Sequence, residues 1–372
     1  MARKTLRSSL VAALSVAALA ACGPPTEDGG SGVSDAGAAT SAADLGGMDG
    51  LVRAAEEEGA LNVIALPPDW ANYGNILKAF QDKYPKIKVT SAQPDAASQD
   101  EINAAKSLKG TSRAPDVFDL GQSVALANTS MFAKYKVATW DDIPADLKDA
   151  EGMWVNDYGG YMSIGYDSEK VPEVTGLDSL LRPELRGKVA LNGDPTQAGA
   201  AFSGVMMAAL GNGGTADDVA PGVDYFRRLK QAGNFVPVDP TPATIESGQT
   251  PVVIDWDYLN AAETAKLPSW KVVVPDDAVV AGYYYQAINN DAPHPAAARL
   301  WEEFLYSDEG QNLWLNGGAR PVRADAMVEA GTIDKAAYDA LPAVNGTAVT
   351  PSIPQTEKAA AYLSENWAKA IG

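Results

Sequence analysis

From Met48 onward the chain alternates apolar runs of strand length with apolar residues at helical spacing. Residues 61–66 form a short run that suits a buried strand; Tyr73, Ile76, Leu77, Phe80 and Tyr84 then recur every three or four positions, and residues 87–90 read as a second strand. These make one β-α-β unit. The pattern continues with a helix over 102–108, a strand over 116–120 and a helix over 123–132, so a parallel sheet is expected. Strands over 161–166, 188–191, 252–255 and 271–274, with helices over 200–210 and 223–232, predict a second α/β lobe. Beyond Pro295 the pattern turns helical, with Ala297, Leu300, Trp301, Phe304 and Leu305 on one apolar face and residues 359–371 forming another.

Two strand-like segments, 160–166 and 281–288, flank the middle third of the chain. A lobe inserted through two crossings suggests a hinge, with residues 48–160 and 285–372 in lobe 1 and residues 161–284 in lobe 2. The cleft between such lobes lies at strand carboxyl ends, where α/β sheets place ligands.

Composition narrows the chemistry. The 372 residues, 46% hydrophobic and 21% charged, can bury two cores and do not describe a disordered chain. Acidic residues outnumber basic ones by 48 to 29, a net charge of −19 that argues against a nucleic-acid partner. One Cys and one His cannot build a disulfide framework, a Cys/His zinc site or a His-pair metal site within one copy. No metal site and no cofactor is expected.

The start of the chain has its own pattern. Arg3, Lys4 and Arg7 precede an apolar run over 10–19, too short for a permanent span and suited to a secretory signal over 1–21. Leu19-Ala20-Ala21-Cys22-Gly23 resembles the lipobox of bacterial lipoproteins, which implies lipidation of Cys22 and an extracytoplasmic protein anchored to the bacterial cell membrane. Residues 22–47, rich in Gly, Ser and Ala and free of aromatics, read as a flexible tether.

Two stretches carry a further resemblance. The first runs from Tyr285 through Asn289, Asn290, Pro293, His294 and Pro295 to Trp301, and the second from Phe304 through Ser307, Asp308 and Gly310 to Gln311. Over most of 48–372 the chain resembles extracellular solute-binding proteins of ABC importers, in the iron(III), polyamine, thiamine and aminoethylphosphonate group. The resemblance implies an α/β, two-lobed type II periplasmic-binding fold, a monomer without enzymatic activity, and partners in an ABC permease and its cytoplasmic ATPase. The residues that carry it start helices, Pro295 in a first turn and Ser307 as an N-cap, and so form a scaffold signature.

Candidate ligand groups sit where strands give way to helices. Asp69, Trp70 and Tyr73 follow the first strand, and polyamine-binding relatives cover their ligand with a Trp and a Tyr at this same offset; Tyr73 equally suits the core face it shares with Ile76 and Phe80. Gln122 and Ser123 open a helix after the strand 116–120, where Ser123 is either a cleft hydroxyl or a plain cap. Asp194 and Thr196 stand in a loop that relatives use for anion-binding amides or an amine-binding carboxylate; Asp194 favours the amine, with capping as the alternative. Trp256, Asp257 and Tyr258 end a buried strand with carboxylate beside π faces, a combination that attracts an ammonium group.

Iron-binding relatives carry adjacent tyrosines near this last position. Asp257-Tyr258 stands there instead, which disfavours ferric ion, although a hard cation can use carboxylate and phenol oxygens. Of Tyr283, Tyr284 and Tyr285, strand alternation turns Tyr284 away from its neighbours, and one of the three lines the cleft. The expected ligand is an amine-bearing solute such as a polyamine, held by Asp257 and Asp194 with Trp70, Tyr73, Trp256 and Tyr258 around its stem. A ferric or aminophosphonate receptor of the same fold is the alternative. An extracytoplasmic hydrolase is the rival from another class; it would depend on His294 as its base, and residues 121–125 lack the second glycine of a nucleophile elbow.

Overall fold

A computed structural model describes residues 36–342 and 344–372; the leader, Cys22 and the tether up to residue 35 lie outside the described residues. Helix α1 (Met48–Glu58) leads into β1 (Ala60–Ile64), α2 (Tyr73–Lys83) and β2 (Lys88–Ala92), and the two strands pair in parallel from Ala60 against Lys88 to Ile64 against Ala92. Helix α2 forms because its apolar residues fall on one face, and Tyr73, Ile76 and Phe80 are buried. Then come α3 (Ser98–Ser107), β3 (Val117–Leu120), α4 (Gln122–Ala127) and β4 (Phe132–Ala133). A long strand, β5 (Val155–Asp167), carries the chain into β6 (Val189–Leu191), α5 (Gly199–Leu210), α6 (Ala220–Ala232), α7 (Pro242–Ser247), β7 (Val252–Trp256), α8 (Asp257–Glu263) and β8 (Trp270–Val273). Strand β9 (Ala281–Asn289) brings it back to α9 (Pro295–Leu305), α10 (Asp308–Asn316), β10 (Arg320–Pro321), α11 (Ala324–Ala330), α12 (Lys335–Asp339) and α13 (Ile353–Ile371).

The expected parallel sheet is corrected by the larger sheet, whose main order is β3-β9-β5-β7-β6. Strand β9 runs antiparallel to both β3 and β5, β5 runs antiparallel to β7 and β8, and only β6 and β7 pair in parallel there. Helix-strand alternation suggests successive crossovers in one direction, but β9 arrives from far along the chain and inserts between two earlier strands.

Strand β5 belongs to both halves of the fold. Its residues Val155 to Tyr161 pair with β9, and Met162 to Tyr166 with β7. At the changeover a Cβ on Gly159 would lie 2.4 Å from the Gly282 carbonyl oxygen, and one on Gly160 would lie 2.4 Å from Asp257 Oδ1. Their neighbours come this close because neither glycine carries a side chain.

Helix α13 corrects the lobe expected for the C-terminal segment. Val349 pairs with the start of β9, its N–H donating to Val279 O at 2.9 Å and its carbonyl accepting from Ala281 N at 3.0 Å. The helix that follows packs on α6 of the second lobe, with Trp367 edge-on to Phe226 at 5.3 Å. A third crossing therefore joins the lobes, one that periodicity does not register because α13 is amphipathic whichever lobe it covers.

The tether reading is corrected over its last twelve residues. Ala36, Ala39 and Leu45 are buried, and Arg299 of α9, itself 1% exposed, donates from Nε to Ala39 O and from Nη2 to Gly37 O, both at 2.8 Å. Small residues give a flexible composition, yet here they let the backbone approach a buried guanidinium. The scaffold signature acts as expected: Pro295 opens α9, and the Ser307 hydroxyl accepts from Gly310 N at 3.2 Å to cap α10. Trp154, Trp270, Trp301, Trp314 and Trp367 are buried in the cores, and Trp140 packs against them half-buried. Among the described residues no helix is long and apolar enough to cross a membrane.

Candidate functional site

A cleft of about 760 Å³ opens between the two halves of the fold. On the first lobe it is walled by the loop from β1 to α2, by Ser98 and Glu101 of α3, and by Asp119 of β3. On the second it is walled by Asn192 and Gly193 after β6, the start of α5, Asp255 of β7, and α8. Tyr284 of β9 lies between them. The β1-α2 loop is held in an unusual backbone: Ala65, Ala71 and Asn72 all have positive φ, at 55°, 44° and 69°. Such strain persists only where surrounding contacts enforce it; Asn72 Nδ2 is anchored on Leu313 O at 2.6 Å. The result holds Asp69 and Trp70 at the cleft.

The carboxylates in the walls define its electrostatics. Asp119 Oδ2 accepts from the hydroxyls of Tyr73 at 2.9 Å and Tyr158 at 3.2 Å, while its Oδ1 has no hydrogen-bond partner among the described residues. Glu101 Oε2 accepts from Asp119 N at 3.0 Å, which sets two acids side by side. Burial pushes the Asp119 carboxyl up to about 7, against the two phenol hydrogen bonds that favour its anion. Burial, then the Asp119 charge, pushes Glu101 well above the ordinary range as well. Across the cleft Asp255 accepts from Asn192 Nδ2 and from Trp256 N, both at 2.8 Å, and burial carries it up to about 7. Lys266 is the one basic side chain among the described lining residues, and it stands 3.6 Å from Glu263, which also lines the cleft. The cleft is thus acidic on both walls and carries almost no compensating positive charge.

Aromatic rings back the acids. Trp70 donates from Nε1 to the Tyr158 hydroxyl at 2.7 Å and meets Tyr284 edge-on at 5.6 Å. Tyr284 in turn stacks on Tyr158 at 5.4 Å with the planes 5° apart. Carboxylates beside π faces bind ammonium groups from two directions.

The sequence candidates divide. Asp69 and Trp70 line the cleft. Tyr73 is fully buried behind it and acts on Asp119 through its hydroxyl, and Trp256 and Tyr258 stack on each other at 6.2 Å behind the second wall. Three expectations need correction. Asp257 is consumed by Arg320, 2.6 Å away, and by the N–H groups of Tyr161 and Tyr258, both at 3.0 Å; burial raises its pKa and the Arg320 charge draws it back. Gln122 turns to α13, donating to Pro351 O at 3.1 Å and accepting from the Thr356 hydroxyl at 3.0 Å. Asp194 closes its own loop, accepting at Oδ1 from Thr196 N at 2.8 Å and from the Thr196 hydroxyl at 2.7 Å. Ser123, Asp194 and Thr196 border a separate pocket of about 210 Å³ beside α13.

Glu101, Asp119, Asn192 and Asp255 line the cleft and were not among the sequence candidates. Asp255 lies in the same acid-aromatic run as Asp257, and β-strand alternation alone does not say which of the two keeps a free face. Asp119 had a usable signal, an acid near the carboxyl end of a buried strand. Tyr284 is the member of its tyrosine triplet that lines the cleft; Tyr285 packs against Trp154 at 4.7 Å. His294 lies elsewhere, bonded through Nδ1 to Asp116 at 2.9 Å at the start of α9.

Comparison with known proteins places this geometry. A family model described as bacterial extracellular solute-binding protein matches residues 115–342. The chain is similar to AfuA from Actinobacillus pleuropneumoniae, solved with exogenous fructose-6-phosphate bound, at 18% identity over 84% of this chain and 98% of that one, with a TM-score of 0.65. It is also similar to iron-bound HitA from Pseudomonas aeruginosa, at 19% identity over 83% and 99% of the two chains, TM-score 0.60. A third similar structure is AgtB from A. tumefaciens R10 with agropinic acid, at 15% identity over 84% and 98%, TM-score 0.66. At these identities the likeness is one of fold, a two-lobed mixed α/β architecture. No curated protein matches the chain in sequence.

Proposed function

Because the chain belongs to the family of bacterial extracellular solute-binding proteins, the receptors of ABC import systems, we propose that its cleft captures a small organic cation bearing one or more amines. One observation carries this reading: Glu101 and Asp119 on one wall and Asp255 on the other face a common cleft whose single basic group among the described residues is already beside Glu263. A bound ammonium supplies the positive charge that lets these buried acids ionise, and Trp70 and Tyr284 offer π faces to its stem. An anionic solute would meet carboxylates with no arginine among the described lining residues to offset them. In this reading the lobes close about β5 and β9, Cys22 holds the receptor at the membrane, and a permease driven by a cytoplasmic ATPase takes the solute. No bond in the solute is made or broken.

The test is calorimetry with putrescine and other amines beside fructose-6-phosphate, ferric citrate and an aminophosphonate. Saturable heat with amines alone is expected. Heat with the anions or iron and none with amines would reject the cation.

A further inference from the structure

Beside the cleft the two lobes meet main chain to main chain at a pair of glycines. Gly121 follows β3 of the first lobe and caps α4, and Gly199 opens α5 of the second. A Cβ on Gly121 would lie 2.9 Å from Gly199 Cα and 3.2 Å from its nitrogen; one on Gly199 would lie 3.0 Å from Gly121 Cα and 3.7 Å from the Tyr284 hydroxyl. Non-bonded carbons pack at about 3.5–4.0 Å, so a methyl group on Gly121 would force the facing backbone to shift, and one on Gly199 would press it back by a few tenths of an ångström. The local backbone does not demand glycine at either site. Gly121 has φ −63° and ψ 148°, open to any residue, and Gly199 begins a helix that alanine would favour. What crowds a side chain at each is the backbone of the opposite lobe.

The next residue ties the lobes across the same junction. Gln122 donates to Pro351 O at 3.1 Å, just before α13, and accepts from the Thr356 hydroxyl in its first turn at 3.0 Å. That helix is seated on the second lobe through Trp367 and Phe226. Gln122 thus spans from a first-lobe helix to an element fixed on the other lobe, one residue from the glycine contact.

We propose that Gly121 and Gly199 are the stop that sets how far the lobes close over a solute, and that Gln122 is the latch that holds them there. All three are positioning residues: they fix the size of the closed cleft through the approach of its walls. A methyl group at either glycine acts as a wedge, and loss of the Gln122 side chain frees the junction without filling it. The inference goes beyond the amine reading and does not depend on it, since the contacts exist whatever solute is bound.

Hydrogen-deuterium exchange on the full, ligand-free chain tests this directly. In Gly121→Ala and Gly199→Ala, amides in residues 193–200 and 349–356 should exchange at least about threefold faster, with the strands inside each lobe unchanged. Gly199→Ala should show this without a lower melting temperature, because alanine favours α5. Gln122→Ala should give a smaller increase centred on 349–356. Putrescine affinity should fall about tenfold in Gly121→Ala, as expected when the competent closed state is depopulated. Unchanged exchange in 193–200 in both glycine variants, or an even rise through both lobes in all three variants, overturns the proposal. If putrescine binds neither the natural chain nor the variants, the amine reading fails while the exchange pattern still decides the closure stop.

Discussion

Asp255 and Asp257 stand two residues apart at the end of one strand and have opposite fates. Asp257 faces the crossing of β5 and meets Arg320 at 2.6 Å, so its charge is matched within the chain. Asp255 faces the cleft, where Asn192 and a backbone N–H are its partners among the described residues, and burial carries its pKa up to about 7. A buried acid with a cation beside it closes a structure; one without keeps a demand for positive charge that a ligand can meet. Asp119 and Glu101 repeat the second situation on the facing wall.

The most severe way to break this contrast is Arg320→Met, which leaves Asp257 buried without its counter-ion. Stability in denaturant should fall by about 3–5 kcal/mol, and adding Asp257→Asn should recover most of it. An unchanged midpoint would mean that the two acids do not differ in kind. On the cleft side, Asp119→Asn should cut affinity for putrescine by about 10–100-fold in calorimetry, in line with about 1.5–3 kcal/mol for a hydrogen bond to a charged group. The fold should hold, because asparagine can still accept from the two tyrosines and the cost of a buried anion is gone. Undiminished affinity would remove Asp119 from the site.

The contrast also predicts a pH dependence of definite sign. Asp119 and Asp255 have folded pKa values raised to about 7 by burial, so the stability they lend the ligand-free protein is full below the ordinary carboxylate range and is lost as pH rises through 7. Cation binding runs the other way, since it needs the ionised acids. Affinity should rise from pH 6 to pH 8 by about tenfold for each carboxylate engaged, and calorimetry at pH 7 in buffers of different ionisation heat should show proton release. A flat profile would contradict the role given to these acids. Smaller again is Trp70→Ala, expected to weaken amine binding by about 1 kcal/mol through loss of its π face, as a fluorescence titration would report. Least of all, Asp194→Ala should leave affinity within about twofold, because Asp194 borders the separate pocket; a larger loss would join the two pockets into one site.

Much of this was legible along the chain, because local pattern reports local structure. Strands β1, β3, β7 and β9 and helices α2, α5, α6 and α9 all lie where apolar spacing puts them, within a few residues. That Asp69 and Trp70 would stand at a cleft was also readable, since clefts open where strands end. Asp257, Gln122 and Asp194 were drawn to the site by their residue type, and each proved to be satisfied by a partner distant in sequence or by its own turn. Nothing near residue 257 announces Arg320, 63 positions later.

The order of hydrophobic and polar residues determined an α/β protein, because burial and capping are decided within a few turns of chain, and the two helix-start motifs carried the resemblance to the solute-binding family. Which acids are neutralised, which face open space, and where the lobes touch depended on long-range pairing. Strand β9 slips between β3 and β5, α13 seats on the far lobe, and Gly121 comes within touching distance of Gly199. Charge matching and steric contact act through space, and the distances that govern them exist only once the chain has folded.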